Sequence, residues 1–343
     1  MFFGKKKILS EKAPPQAWIE KTHRMALLLR DRDVQSLLEI SDTIDALEQA
    51  FTALSHGHAI NRPRTRLIQN NGILHMLAAS FAEAGVLGLK TYTVFRQGVR
   101  SLVLLFSAAD GRLLALVEAE WLGRMRTGGM SGLATRHLAN PDASLVGLIG
   151  AGKQAETQLM GVCAVRPIHK VLVYSRRRPE CEAFCQRMTE RLQVEVVPAA
   201  SSREAVEEAD VVITATTAGE PVFAGEWLKP GCHVNAIGSN WPRRRELDDD
   251  TMQRASLIVT DSIEQAKAEA GDLVIPANAG NLDWDSVWEL ADIVAGDGPQ
   301  RNSSYDITVY KAVGVALEDI TVAARAYTHA REQGVGEEIN LLG

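Results

Sequence analysis

Leu145-Val146-Gly147-Leu148-Ile149-Gly150-Ala151-Gly152-Lys153-Gln154-Ala155 is the stretch that decides the fold. Five mostly apolar residues predict a short strand, two glycines a tight turn, and Gln154 to Val165 a helix. In Gly150-x-Gly152-x-x-Ala155 the first glycine permits the turn and the second lets the backbone approach a pyrophosphate. The small third residue lets the helix lie close to the strand, and the helix N-terminus offers N–H groups to phosphate. A glycine pattern alone is equally an ordinary strand-to-helix turn. Its context carries the reading, because Lys170–Tyr174 follows as the next strand and Pro179–Leu192 as the next helix. Val194–Val197, Val211–Thr214, His233–Ile237 and Leu257–Thr260 continue as strands. Such alternation predicts a parallel sheet with helices on both faces. NAD-binding units commonly end the second strand on Asp or Glu, which holds the ribose 2′-hydroxyl. Here the chain reads Tyr174-Ser175-Arg176-Arg177-Arg178, so guanidinium groups are available for a 2′-phosphate. The reading favours NADP(H) over NAD(H); a solvated basic turn is the alternative, and it leaves NAD(H) open.

On the N-terminal side, residues 60–118 break into short strand-like runs with turn signals at Asn70-Asn71-Gly72 and Ala109-Asp110-Gly111, which predicts a mostly antiparallel sheet. A helix follows from Ala119 to Leu138 and stops at Asn140-Pro141. Earlier, Ser41-Asp42-Thr43 is placed to cap a helix carrying Ile44, Leu47, Phe51 and Leu54, ended by Gly57. Residues 1–25 read as an extension. Tyr310 to Gln333 reads as one long helix that returns to the first region.

The 343 residues are enough for two domains, and 46% hydrophobic with 23% charged residues is the balance of a globular protein. A net charge of -6 with interspersed signs disfavours a nucleic-acid partner. No apolar run approaches the roughly 20 residues of a membrane span, so no membrane partner is expected. The start, Met1-Phe2-Phe3-Gly4-Lys5-Lys6-Lys7, has the reverse order of a secretory signal. Cys163, Cys181, Cys185 and Cys232 complete no zinc pattern and read as reduced thiols, which predicts a cytoplasmic protein with no metal. His75, in an apolar strand, reads as core or pocket lining.

Cofactor binding does not name a reaction. Three cation-bearing segments stand out: Arg62-Pro63-Arg64-Thr65, Gly88-Leu89-Lys90-Thr91 and Arg124-Met125-Arg126-Thr127-Gly128-Gly129. With them stand Gly225-Glu226-Trp227-Leu228-Lys229-Pro230-Gly231, Arg245-Glu246-Leu247-Asp248, Thr308-Val309-Tyr310-Lys311-Ala312-Val313-Gly314 and Glu318-Asp319. In this order and spacing, from about Leu27 to the end, the chain resembles the ornithine cyclodeaminase and mu-crystallin family. The resemblance implies an α/β fold in which a Rossmann-type doubly wound parallel sheet, 142–314, is inserted into an α+β substrate and dimerisation domain, 26–141 plus 315–343. It implies a homodimer acting on a small α-imino or α-amino acid. Position by position it makes Arg64 and Arg126 the carboxylate-binding arginines and Lys90 the active-site lysine. Both assignments suit the chemistry, a guanidinium fork for a carboxylate and a lysine among cations for proton exchange. The implied cofactor site takes in Thr127, Gly150, Ala151, Gly152, Lys153, Gln154, Ser175, Arg176, Arg177, Thr214, Ala215, Thr216, Ile237 and Gly238.

One departure bears on the reaction. Where cyclodeaminases carry an aspartate, the chain reads Gly238-Ser239-Asn240-Trp241-Pro242, with Asn240 in that place as a substrate contact or a cap for the helix near Glu246. An amide cannot accept a proton as a carboxylate does. The expectation is therefore an NAD(P)H-dependent α-imino acid reductase, reversibly an amino-acid dehydrogenase. A cyclodeaminase-type ammonia lyase and a non-catalytic NADPH-binding mu-crystallin-like protein are the alternatives.

Overall fold

The computed structural model describes residues 25–341, so all but the last position of the expected extension at 1–25 lies outside them. The first sheet begins with β1 (Ala26–Leu29), β2 (Ala59–Asn61), β3 (Thr65–Gln69), β4 (Gly72–Phe81), β5 (Val86–Phe95), β6 (Gly98–Ser107) and β7 (Leu113–Glu118). β3 to β7 run as antiparallel neighbours joined by short turns, as the alternating runs required. The second sheet holds β8 (Leu145–Ile149), β9 (Lys170–Tyr174), β10 (Glu195–Pro198), β11 (Val211–Thr214), β12 (His233–Ala236), β13 (Ala255–Thr260), β14 (Val287–Glu289) and β15 (Ile307–Lys311). Its order is β10-β9-β8-β11-β12-β15-β13-β14, parallel at every pairing. The chain then returns to the first sheet, where β16 (Glu337–Ile339) pairs antiparallel with β1. The doubly wound sheet is thus inserted into the antiparallel one. Its order reverses between β8 and β11, and the crevice beyond the carboxyl ends of such strands is where open α/β sheets bind ligands.

Two expectations need correction. Tyr310 to Gln333 is not one helix: Ile307–Lys311 is a fully buried strand between β12 and β13, and the helix runs Ala316–Gln333. The β-branched and aromatic run Ile307-Thr308-Val309-Tyr310 suits a strand, and Gly314, at φ 74°, breaks the chain before the helix. Ser41-Asp42-Thr43 is not a cap, because the helix Ile40–Ser55 starts one residue earlier with Glu39 at the cap position. The Thr43 hydroxyl donates instead to the Glu39 carbonyl, 2.7 Å away.

The helix Glu120–Leu138 joins the two sheets. It packs on the helix Ala155–Val165, which opens with the glycine loop, and the two backbones touch. A Cβ on Gly128 would lie 2.1 Å from the Thr157 carbonyl oxygen, and one on Gly161 2.0 Å from the Gly128 oxygen. Only glycine permits that approach. Arg126 and Thr127 are therefore held at a set distance from the turn at Gly150–Gln154. The helix Ala316–Gln333 covers the inner face of the antiparallel sheet, packing on β4, β5 and β6. No helix among the described residues is long and apolar enough to cross a membrane.

Candidate active site

A cavity of about 680 Å³ opens between the carboxyl edge of the parallel sheet and the inner face of the antiparallel one. It gathers residues from distant segments: Arg64, Lys90, Arg126, Thr127, Gly152, Lys153, Gln154, Ala215, Thr216, Ile237, Gly238 and Asn240 all line it. Gly150, Ala151 and Thr214 do not, and neither do Ser175, Arg176 and Arg177.

The floor is charged and buried. Lys90 projects from the inner face of β5, and its Nζ donates to Asp319 Oδ1 at 2.6 Å. Burial pushes the Lys90 ammonium down to about 8; Asp319 pulls it up, while Arg126 and Arg64 push it further down. Arg126 pairs with Glu318 and reaches Asp319 through Nε at 3.3 Å. Burial disfavours its charge, but Asp319 and Glu318 outweigh that and raise its pKa. Arg64 donates to Glu269 at 2.7 Å and to the Val313 and Gly314 carbonyls at 2.9 and 2.8 Å. Its Nε is buried and makes no hydrogen bond. Arg66 also pairs with Glu269, donates to the Asn240 carbonyl at 3.1 Å and lies 5.0 Å over the Trp241 ring. Glu269, Glu318 and Asp319 are each 1% exposed. Buried carboxylates must be paired, and these three set the directions of the guanidinium groups. Burial also raises the Glu318 carboxyl to about 8, with Arg126 opposing and Asp261 adding to the rise.

Tyr92 lines the wall beside Lys90, whose Nζ lies 5.6 Å from the ring. His75 stacks on Tyr92 at 4.2 Å, with an interplanar angle of 3°. Burial, with Arg64 and Arg66 nearby, holds its imidazole at about 4, so it is neutral at ordinary pH. It is a packing residue behind the cavity. Among the described residues no group of three His, Cys, Asp or Glu is placed to hold a metal.

The mouth is built from the glycine loop. Gly150 sits at φ 105°, and a Cβ there would lie 2.5 Å from the Ala215 carbonyl oxygen. A Cβ on Gly152 would meet nothing within 4 Å, so its backbone faces open space. The helix Ala155–Val165 has no side-chain cap, and Gln154 Oε1 is buried without a partner. Open backbone, uncapped helix N–H groups and an orphaned amide oxygen fit a dinucleotide phosphate and ribose. Around it, Glu246 accepts from the Thr214 hydroxyl at 2.8 Å, the Thr216 N–H at 2.8 Å and the Gly238 N–H at 2.7 Å. Thr214 is fully buried, so its side chain holds Glu246. Ser175 to Arg177 follow β9 at the surface. Arg177 pairs with Glu180 at 3.6 Å, and Arg176 has no ion pair or hydrogen bond among the described residues.

Asn240 lines the cavity and does not cap the helix after Glu246; Asp248 does, accepting from the Thr251 N–H at 2.9 Å. Its place is fixed from beneath by the buried Lys311, which donates to the Ser239 carbonyl at 2.6 Å and pairs with Asp272 at 3.0 Å. Sequence reading assigned no role to Glu269, Arg66, Glu246, Glu318 or Asp319. One signal was available: Glu318-Asp319 stands in an otherwise apolar stretch, Val315-Ala316-Leu317 to Ile320, where two adjacent acids require buried partners.

The sequence model described as "Ornithine cyclodeaminase/mu-crystallin family" matches residues 24–334. A Delta(1)-pyrroline-2-carboxylate reductase of Bacillus cereus is 36% identical over 91% of this chain and 99% of its own. The solved Delta(1)-pyrroline-2-carboxylate reductase of Thermococcus litoralis, in complex with NADH and L-proline, superimposes with a TM-score of 0.88 at 37% identity, over 91% of this chain and all of its own (100%). An archaeal alanine dehydrogenase dimer with bound NAD superimposes with a TM-score of 0.87 at 30% identity, over 93% of this chain and 100% of its own.

Proposed function

The chain belongs to the ornithine cyclodeaminase/mu-crystallin family, and on that premise we propose that it reduces a small α-imino acid to the α-amino acid with NAD(P)H, and catalyses the reverse oxidation. The observation that carries the reading is Lys90: an ammonium that burial holds down to about 8, paired with Asp319 and flanked by two arginines, at the floor of the cavity that the glycine loop borders. In the relatives the substrate is a cyclic imino acid or alanine, by their names.

A nicotinamide bound beside the glycine loop would supply the hydride. This chain's residues do the rest. Arg126, pinned by Glu318 and Asp319, presents its guanidinium to the substrate carboxylate, and Arg64 closes the same wall. That fixes the imine carbon in one orientation. Lys90 gives a proton from Nζ to the imine nitrogen and becomes a neutral amine beside Asp319; in the oxidative direction it takes the proton back. Asn240, an amide on the cavity wall, offers no carboxylate to activate a second amine, which favours reduction over cyclodeamination.

On the cofactor, solved relatives hold NADH and NAD. We assign a preference for NADP(H) to the exposed Arg176, which has no partner among the described residues and stands where an acidic residue would otherwise select NAD. We take 26–141 plus 315–343 as the substrate and dimerisation unit and 142–314 as the nucleotide unit. The outer face of the antiparallel sheet supports a homodimer: Leu67, Leu87 and Leu102 share that face and are 53%, 41% and 37% exposed. Four unpaired cysteines support a cytoplasmic setting.

The test is loss of absorbance at the reduced-nicotinamide band with NADPH or NADH and a panel of cyclic imines and 2-oxo acids plus ammonia. Oxidation with one class of substrate is expected. Silence across the panel, with ammonia released from a diamino acid, would replace the reductase with the lyase. Arg176→Ala should lower the NADPH over NADH preference about tenfold, the weight of one charge-assisted contact; an unchanged ratio removes that assignment.

A further inference from the structure

The cofactor loop carries one cation of its own, Lys153, which is largely exposed and paired with Glu120. A dinucleotide brings two phosphate charges to this loop. A second cation reaches the same place from the other side of the cavity. Arg124 lies on the helix Glu120–Leu138, on the face that also presents Glu120, Gly123 and Thr127, and all four line the cavity with Gly152, Lys153 and Gln154. Its Nη2 pairs with Glu156, the second residue of the helix Ala155–Val165, so the guanidinium stands beside the first turn of that helix, where N–H groups lack a side-chain cap. Its plane is supported by Trp121, 4.6 Å from the guanidinium carbon to the ring centroid. Its Nε is buried and makes no hydrogen bond.

A guanidinium held through one terminal nitrogen and stacked on an indole, with its Nε donor unsatisfied, is pre-organised for an acceptor that arrives later. Glu156 does not need it for neutrality, because Arg191 pairs with the same carboxylate. We propose that Arg124 is a pyrophosphate-binding residue for the dinucleotide, contributed by the helix that also carries Arg126 and Thr127. The inference rests on the cofactor reading above. It has a mechanistic consequence. One helix holds the cofactor through Arg124 and the substrate carboxylate through Arg126, two residues on, so an occupied phosphate site restrains the arginine that orients the imine.

The experiment is direct binding to the full chain, without turnover. NADPH, NADH, ADP-ribose and adenosine are titrated by calorimetry into the parent protein, Arg124→Gln and Arg124→Lys, with melting temperatures alongside. ADP-ribose contains the pyrophosphate and adenosine does not. Arg124→Gln should weaken NADH and ADP-ribose about tenfold to a hundredfold, the weight of one charge-assisted hydrogen bond, and leave adenosine unchanged. Arg124→Lys should recover part of the loss, since it keeps the charge but not the fork. Unchanged ADP-ribose affinity in Arg124→Gln overturns the proposal while the cofactor reading stands. An equal loss for adenosine makes the role structural and also overturns it. If the parent binds none of NADPH, NADH and ADP-ribose, the cofactor reading falls, and this inference with it.

Discussion

At the floor of the cavity four cations, Arg64, Arg66, Lys90 and Arg126, meet three carboxylates that are almost fully buried, Glu269, Glu318 and Asp319. At its mouth one run, Gly150 to Gln154, offers backbone with open space before Gly152. The floor draws its residues from the antiparallel sheet and three helices; the mouth is a single turn. The difference follows from what each must do. Aiming a charge in a low dielectric requires partners on several sides, and only tertiary packing supplies them. Cradling a phosphate requires N–H groups pointing one way, which a turn and a helix end supply locally.

The largest expected effect lies at the floor. Lys90→Met should lower kcat about 10²- to 10⁴-fold, the usual share of a positioned proton donor, while NADH binding at the mouth is unchanged. Asp319 keeps Arg126 as a partner at 3.3 Å, so the variant should fold, which its melting temperature checks. A loss below about tenfold in kcat would place the proton transfer elsewhere.

Two glycines sharpen the contrast between architecture and cradle. Gly128→Ala puts a Cβ 2.1 Å from the Thr157 oxygen and should destabilise the fold by about 1–3 kcal/mol through overpacking. Gly152→Ala meets nothing in the protein, so its melting temperature should match the parent's while NADH affinity drops about tenfold or more, because the methyl stands where phosphate approaches. Thermal unfolding and NADH titration on both variants give the answer. A low-melting Gly152→Ala with intact affinity would make the loop an ordinary turn.

The smallest effect is in pH. A lysine whose folded pKa is lowered to about 8 carries its proton below that value and loses it above. In the reductive direction kcat/KM should be flat on the acid side of about 8 and fall about tenfold per unit on the alkaline side. In the oxidative direction, where the base form is needed, the limb should invert. Glu318 is raised into the same range. In Glu318→Gln the level should drop, because Arg126 loses a partner, yet the limb should stay. A limb that disappears assigns the titration to Glu318.

Legibility in the sequence followed the same division. The glycine loop, the strands from Leu145 to Thr214 and the antiparallel runs at 60–118 were readable because period and turn chemistry are local. The strand Ile307–Lys311 was not, because a fully buried strand carries no alternation and ran on into the apolar helix behind it. Arg64, Lys90 and Arg126 were found through family resemblance, and nothing in their own segments distinguishes them from surface cations. Glu269 and Arg66, 203 residues apart, could not have been paired from the chain at all.

By itself the sequence determined the parallel sheet, the glycine loop and the residue types on which the chemistry draws, because each depends on neighbours within a turn or a strand. Only the tertiary structure decided which carboxylate holds which cation, that Thr214 serves Glu246, and that Arg124 stands at the start of the helix Ala155–Val165. Those depend on burial and on contacts between segments far apart in the chain, and a charge acquires its direction and its pKa only once its partners and its solvent have been fixed.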